Sequence, residues 1–367
     1  MQTPRDVLNA LIHRKKADRL GLMENPWGDT IAKWVTQGYP TNKDGQAVPV
    51  QEHFKFDMAH CGGWLDWQPK MGHNETVAET DEWAVRKNGA GASLKWWKAK
   101  SGTPEHVDFA MTTREIWERE YRPLVVGSAA QRLGADDVRD MKKSLEDRRS
   151  EGYWTCFGTQ FLWEDMRASM GDMTLYTAML LDPEWIHDYC RVYTDLYKEY
   201  YTLLLAQVGV PDGVWLYEDL GYRDRLFVAP EIYRDTIFVY YAEMVEFFHS
   251  YGVPVILHTC GYTEPAMDLI VNAGFDGLNP LEVKAGNDIF KMAEKYGDKL
   301  SFWGGLDARI LESGDRAAIR RGVIDFIEGL KKRGACVVFA SDHSLSTNVH
   351  YDDYRYALEV YHEHKAY

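Results

Sequence analysis

No stretch of this 367-residue sequence is apolar over anything near the roughly 20 residues that a bilayer crossing needs. The opening MQTPRDVLNALIHRKK has no apolar signal core either, so a cytoplasmic protein is expected, not a membrane or secreted one. Cysteine is scarce: Cys61, Cys156, Cys190, Cys260 and Cys336 are odd in number and without pattern. That argues against a disulfide framework and suits a reducing compartment. Positive charge is short as well, with 42 lysines and arginines against 56 acids and a formal net charge of -14. A field of that sign repels phosphate backbones, so nucleic acid is not expected as a partner. Linkers rich in proline or serine, low-complexity tracts and internal repeats are missing too. One domain over residues 1–367 is the reading that remains.

What the chain does have is apolar material, 45% of it, including 13 tryptophans and 22 tyrosines. Most of these aromatics should pack cores, and some could wall a pocket for a flat ligand. The second half alternates strands and helices. The apolar runs GVWLYED, VPVILHTC, FDGLNPLEV, KLSFWGGLD and ACVVFASDH each lead into a helical pattern such as EPAMDLIVNAG or DRAAIRRGVIDFIEGLKKRG. Such alternation predicts a parallel sheet. Three candidates in the first half, RLGLMENPW, EHFKFDM and GYWTCFGTQ, bring the strand count to the eight of a closed (β/α)8 TIM barrel. Between about Glu75 and Met111, TVAETDEWAVRK and ASLKWWKAK alternate around NGAGA, which predicts an antiparallel insertion.

In a barrel, chemistry gathers at the C-terminal strand ends. Read in order, those ends carry Glu24 and Trp27, Gln160, Glu218 and Asp219, His258 and Cys260, Glu282, Asp307, and Asp342 with His343. An acid after a barrel strand commonly caps the next helix or pairs with a neighbour, the default for Glu282 and Asp307. Asp342 and His343 could be a structural pair, and Cys260 alone could be a small buried hydrophobe. Taken together, Glu218, His258, Cys260 and His343 come from strands four, five and eight and offer one mouth nitrogen, sulfur and oxygen donors. Zinc accepts such a set. His258 and Cys260 stand two apart at a strand end, on one side of it, because strand side chains alternate.

TPRDVLNALIHRKKADRL, WLYEDLGYRDRLFVAPEIYRDTI, LHTCG, SFWGGLDARIL and FASDHSLSTNVHYDDYRYALE together resemble the uroporphyrinogen decarboxylase superfamily, which includes zinc-dependent, corrinoid-linked methyltransferases. The resemblance spans nearly the whole chain and implies a TIM barrel. Decarboxylases of the family carry an arginine-bearing segment after the first strand, and here that stretch is LMENPWGDT, without arginine. The methyltransferase branch has His-x-Cys at the fifth strand, matched by His258 and Cys260, and a third ligand after the last strand, commonly cysteine. Here His343 takes that place, and Glu218 or Asp219 the fourth.

The resemblance then implies a zinc enzyme that moves a methyl group from a methoxylated aromatic to the Co(I) of a corrinoid carried by a partner protein. Asp219 and Asp342 would orient ligands or substrate, and Trp27, Trp163, Tyr217, Tyr262 and Trp303 would wall the slot for the arene. Methylation of a thiol such as coenzyme M, a metal-free decarboxylase-like lyase, and a non-catalytic barrel that binds a corrinoid partner or small ligand are the alternatives. A homodimer is one option for assembly.

Overall fold

The computed structural model describes residues 2–99 and 101–367. Eight short strands form one parallel sheet: β1 (Gly21–Leu22), β2 (Met58–His60), β7 (Trp154–Gln160), β8 (Gly213–Tyr217), β9 (Val255–Thr259), β10 (Gly277–Pro280), β11 (Ser301–Trp303) and β12 (Val337–Phe339). Their order around the sheet is β1-β12-β11-β10-β9-β8-β7-β2, so the expected barrel is present and nearly closed. The seam lies between β1 and β2, where no ladder forms. Asp57 spans it: its backbone N–H donates to Leu22 O and its carboxylate accepts the Leu22 N–H, both at 2.8 Å. Arg19 then grips both oxygens of the buried Asp57 carboxylate at 2.7 Å.

The lumen is solid in its lower part. Trp154, Trp215 and Trp303 meet there with Met58, Ile256 and Val338, all buried. From below, the helix Pro4–Ile12 inserts Val7, Leu8, Leu11 and Ile12 as a plug. Thr3 and Asp6 cap that helix reciprocally, so its start is fixed by its own sequence. Gly213 begins β8 because a Cβ there would stand 2.1 Å from the Trp154 ring. Outside the strands, Tyr189, Tyr193, Tyr197 and Tyr201 of the helix Pro183–Val208 are buried in the helix–sheet layer. Most tyrosine in this chain is therefore packing. Among the described residues no helix is long and apolar enough to cross a membrane.

The insertion is a second, antiparallel sheet of four strands in sequential order: β3 (Asn74–Glu79), β4 (Trp83–Asn88), β5 (Ala92–Trp97) and β6 (Glu105–Phe109). TVAETDEWAVRK is not one arm of a hairpin, because it breaks at Thr80–Glu82 into two strands. Asn88 builds the β4–β5 turn, its Oδ1 accepting the Ala90 and Ala92 N–H groups. Its Nδ2 donates to Ala168 O at 2.9 Å, tying the sheet to the helix Leu162–Leu181 that follows β7.

Candidate metal centre and the cleft above it

Alternation along β9 sends Ile256 into the lumen and His258 to the mouth, with Cys260 just beyond the strand. The backbone must then pass hard against the loop after β8. Gly261 sits at φ +79°, and a Cβ there would come within 2.3 Å of Gly221 C. That requirement accounts for the glycine in LHTCG.

The His258 tautomer is set by its neighbours. Asn279 donates its Nδ2 to Trp303 O at 2.5 Å, which turns its Oδ1 toward His258 Nδ1, also at 2.5 Å. Nδ1 therefore carries the proton and Nε2 presents a lone pair. That lone pair lies 3.3 Å from Cys260 Sγ and 3.8 Å from Asp219 Oδ1. Two overlapping donor groups share the thiol: Asp219, His258 and Cys260, then Cys260, Glu282 and His343, each with its ligand atoms within 4.8 Å of one another.

The electrostatics suit a cation. Burial lowers the pKa of His258 even beside Asp219, which keeps the imidazole neutral. Burial, then Asp219 and Glu282, push the Cys260 thiol well above its ordinary value. A divalent ion reverses that balance, because it offsets the acids and stabilises the thiolate. Nitrogen, sulfur and carboxylate donors converging in a half-buried pocket fit zinc.

Of the four residues expected to hold metal, His258 and Cys260 share one donor group, and His343 meets the same thiol in the other. Glu218 stands elsewhere. Trp215 and Tyr217 face the lumen, so the next inward position is Asp219 and Glu218 points out toward the helices. Its buried carboxylate accepts the N–H groups of Phe161 and Trp163, both at 2.6 Å, and the Tyr241 hydroxyl. Burial raises its pKa to about 8. Asp219 is held at the cluster by the Cys260 N–H at 2.9 Å. Its backbone carbonyl accepts the Trp163 indole N–H at 2.7 Å.

Asp342 is fully buried and does not join the donors. Its carboxylate accepts Ala308 N–H at 2.9 Å and Val283 N–H at 2.8 Å, clamping the loops after β10 and β11. Glu24 makes a similar clamp to the Ser341 N–H and hydroxyl, both at 2.9 Å. Asp307 caps its helix as expected, accepting the Arg309 N–H. Glu282 does not cap with its side chain and follows the other default, pairing with neighbours: it accepts the Gly261 N–H at 2.7 Å, lies 3.5 Å from Lys284 Nζ and stands among the donors.

The five aromatics divide. The Tyr217 ring lies 4.8 Å from His258, and Trp27 lies 6.1 Å from His343. Trp163 and Trp303 are completely buried, and Trp303 belongs to the lumen core, 5.4 Å from Trp154. The Tyr262 hydroxyl donates to the Glu264 carboxylate, away from the cluster. Sequence reading missed Trp64, 49% exposed and 5.2 Å from the Tyr217 ring. It also missed His60, which ends β2 and stands one inward position beyond Met58, as His258 stands beyond Ile256 on β9. His60 opens to the barrel mouth yet is ringed by protein, which lowers its pKa to about 4.

Above the cluster, Trp64, Gln160, Glu164, Tyr217, Asp219 and His258 line a cavity of about 240 Å³, which Glu218 also borders although its carboxylate is bonded away from the donors. It shares Gln160, Glu164 and Asp219 with a cleft of about 1240 Å³ beneath the antiparallel sheet.

The uroporphyrinogen decarboxylase (URO-D) family model matches residues 164–364, more than half of the chain, so the protein belongs to that family. Among solved structures, a methyltransferase from Methanosarcina mazei is similar over 99% of both chains, with a TM-score of 0.70 at 13% identity. At that identity the likeness is one of fold. A putative vitamin-B12 independent methionine synthase from Listeria monocytogenes aligns over 95% of this chain and 97% of its own, at 10% identity and a TM-score of 0.41. No curated protein matches the sequence.

Proposed function

We propose that this protein is a zinc-dependent methyltransferase that takes a methyl group from a methoxylated aromatic and delivers it to the Co(I) of a corrinoid on a partner protein. The observation that carries the reading is the convergence of Asp219, His258 and Cys260 directly below an opening walled by Tyr217 and Trp64. His258, Cys260 and Asp219 would hold the metal, with His343 and Glu282 on the far side of the shared thiol. Zinc there would supply Lewis acidity to the ether oxygen, where charge develops as the methyl C–O bond breaks and its electron pair stays on oxygen.

The chain's own contribution is positional. Asn279 fixes the imidazole that faces the cluster, and the Cys260 N–H and Trp163 keep Asp219 turned inward. Tyr217 and Trp64 offer flat apolar surface to an arene, and Gln160 and Glu164 present polar groups at its edge. The M. mazei methyltransferase shares this architecture over its whole length, which supports methyl transfer as the reaction class. Decarboxylation of a polycarboxylate finds less support. The loop after β1 offers Glu24, Asn25 and Trp27 where an arginine clamp would be needed.

The test mixes the protein, a reduced corrinoid protein and methoxybenzenes, and follows the corrinoid absorbance. Methoxyarene-dependent loss of the Co(I) spectrum, with release of the phenol, is expected. Methylation of thiols from a methylated corrinoid, with methoxyarenes inert, would reverse the direction of transfer and sink the donor assignment.

A further inference from the structure

The large cleft has a roof with its own chemistry. Alternation in the antiparallel sheet turns Ala84, Arg86 and Asn88 of β4 to one face, which lines the cleft. The register sets Arg86 opposite Leu94, and Leu94 opposite His106. A guanidinium, an apolar patch and an imidazole thus lie side by side across three strands. Trp96, 44% exposed, extends the apolar patch on the same face.

The other cations of the cleft are already engaged. Arg167 donates to Asp172 at 2.8 Å and to Glu164 at 2.9 Å, and it covers the Phe227 ring. Lys98 pairs with Glu79 at 2.7 Å, and His73 lies 3.7 Å from Glu75. Among the described residues Arg86 alone of these has neither hydrogen bond nor carboxylate within 4.0 Å. An exposed cation on the cleft wall, whose nearest acid Glu79 is taken up by Lys98, and which is bordered by apolar side chains, matches an anion attached to a ring.

We propose that Arg86 makes the cleft an anion subsite, so that the aromatic bound there carries a carboxylate. The inference rests on the proposed function for the ring, and it adds the substituent. A single guanidinium balances a single negative charge, and its fork matches two carboxylate oxygens. A more highly charged group would meet Glu164, Asp172 and Asp219 on the facing wall. In a molecule with a net charge of -14, such a local cation favours the entry of an anion.

The experiment is calorimetric titration of the full-length protein with benzoate, 4-methoxybenzoate and methoxybenzene, for wild type, Arg86→Met and Arg86→Lys, with circular dichroism as the check on folding. Both carboxylates should bind wild type more tightly than methoxybenzene does. Arg86→Met should weaken them by about ten- to a hundred-fold, the worth of a charge-assisted hydrogen bond, and leave methoxybenzene unchanged. Arg86→Lys should fall between, because it keeps charge without the fork. Carboxylate affinity unaffected by Arg86→Met, carboxylates that do not bind, or methoxybenzene binding as tightly as 4-methoxybenzoate would each overturn the subsite. The two readings separate cleanly. Arg86-dependent benzoate binding without methyl transfer from any methoxyarene keeps the subsite and removes the methyl donor. Transfer that is equally fast from neutral arenes and in Arg86→Met does the opposite.

Discussion

The bottom and the mouth of the barrel are built from the same strands, two residues apart, and behave as different materials. Below lie Trp215, Ile256 and Met58, packed against Trp154, Trp303 and the plug from the N-terminal helix. One inward position further along each strand come Tyr217, His258 and His60, then Asp219 and Cys260. These three strands pass from close packing to chemistry in a single period of their pleat. The lower layer carries stability, and the upper layer is free to hold groups that packing would reject. Function here costs the fold little, because the mouth opens to a cavity and the core does not.

The largest expected effect tests that division at the mouth. His258→Ala and Cys260→Ser should abolish methyl transfer and reduce bound zinc, measured by elemental analysis, from about one ion per chain for a site of this type. Thermal melting should stay close to wild type. A cooperative loss of structure in either variant would mean that the mouth also supports the fold.

The converse change at the bottom is next. Trp215→Ala should cost about 3–5 kcal/mol in denaturant unfolding, the range for a large aromatic removed from a packed interior. Metal content per folded molecule should persist.

A smaller effect sharpens the boundary itself. Asn279→Leu removes the acceptor that fixes the His258 tautomer, and should weaken zinc affinity by about 10–100-fold, as loss of a ligand's hydrogen-bond partner does elsewhere. Competition with a chelator reads this directly.

The smallest concerns the acid that points the other way. Glu218 keeps its proton to a pH of about 8 because it is buried, against an ordinary value of 4.5. Between those values the folded state binds a proton that the unfolded state has released, so stability falls as pH rises through that window. Glu218→Gln should flatten this part of the profile in melts from pH 5 to 8, with zinc retained. A profile as steep as wild type would remove Glu218 as its source.

Much of the barrel was legible because short apolar runs bounded by turns repeat with helices between them; seven of the eight runs hold their strand, whereas EHFKFDM is helix end and turn and only its Met58 enters β2. The His258–Cys260 pair was legible for the same reason, since a spacing of two at a strand end fixes one side. Choosing between Glu218 and Asp219 needed the phase of β8. That phase is set by Trp215 packing into the lumen, a contact with Trp303 that lies far away in sequence. Trp163 and Trp303 read as pocket walls because composition cannot distinguish a buried indole from an exposed one. The cleft was invisible for a related reason. It exists only where Asn88 draws a separate sheet down onto Ala168, and no local pattern encodes that distance.

The seam between β1 and β2 gives this ring a clasp. Elsewhere neighbouring strands share a ladder, whereas here Leu22 and Asp57 are joined by one backbone bond and a carboxylate held by Arg19. A ring fastened at one point opens at that point. In deuterium labelling, the Leu22 amide should exchange sooner than its counterparts on β8 and β9, so the barrel would breathe along this line and leave the His258 side shut.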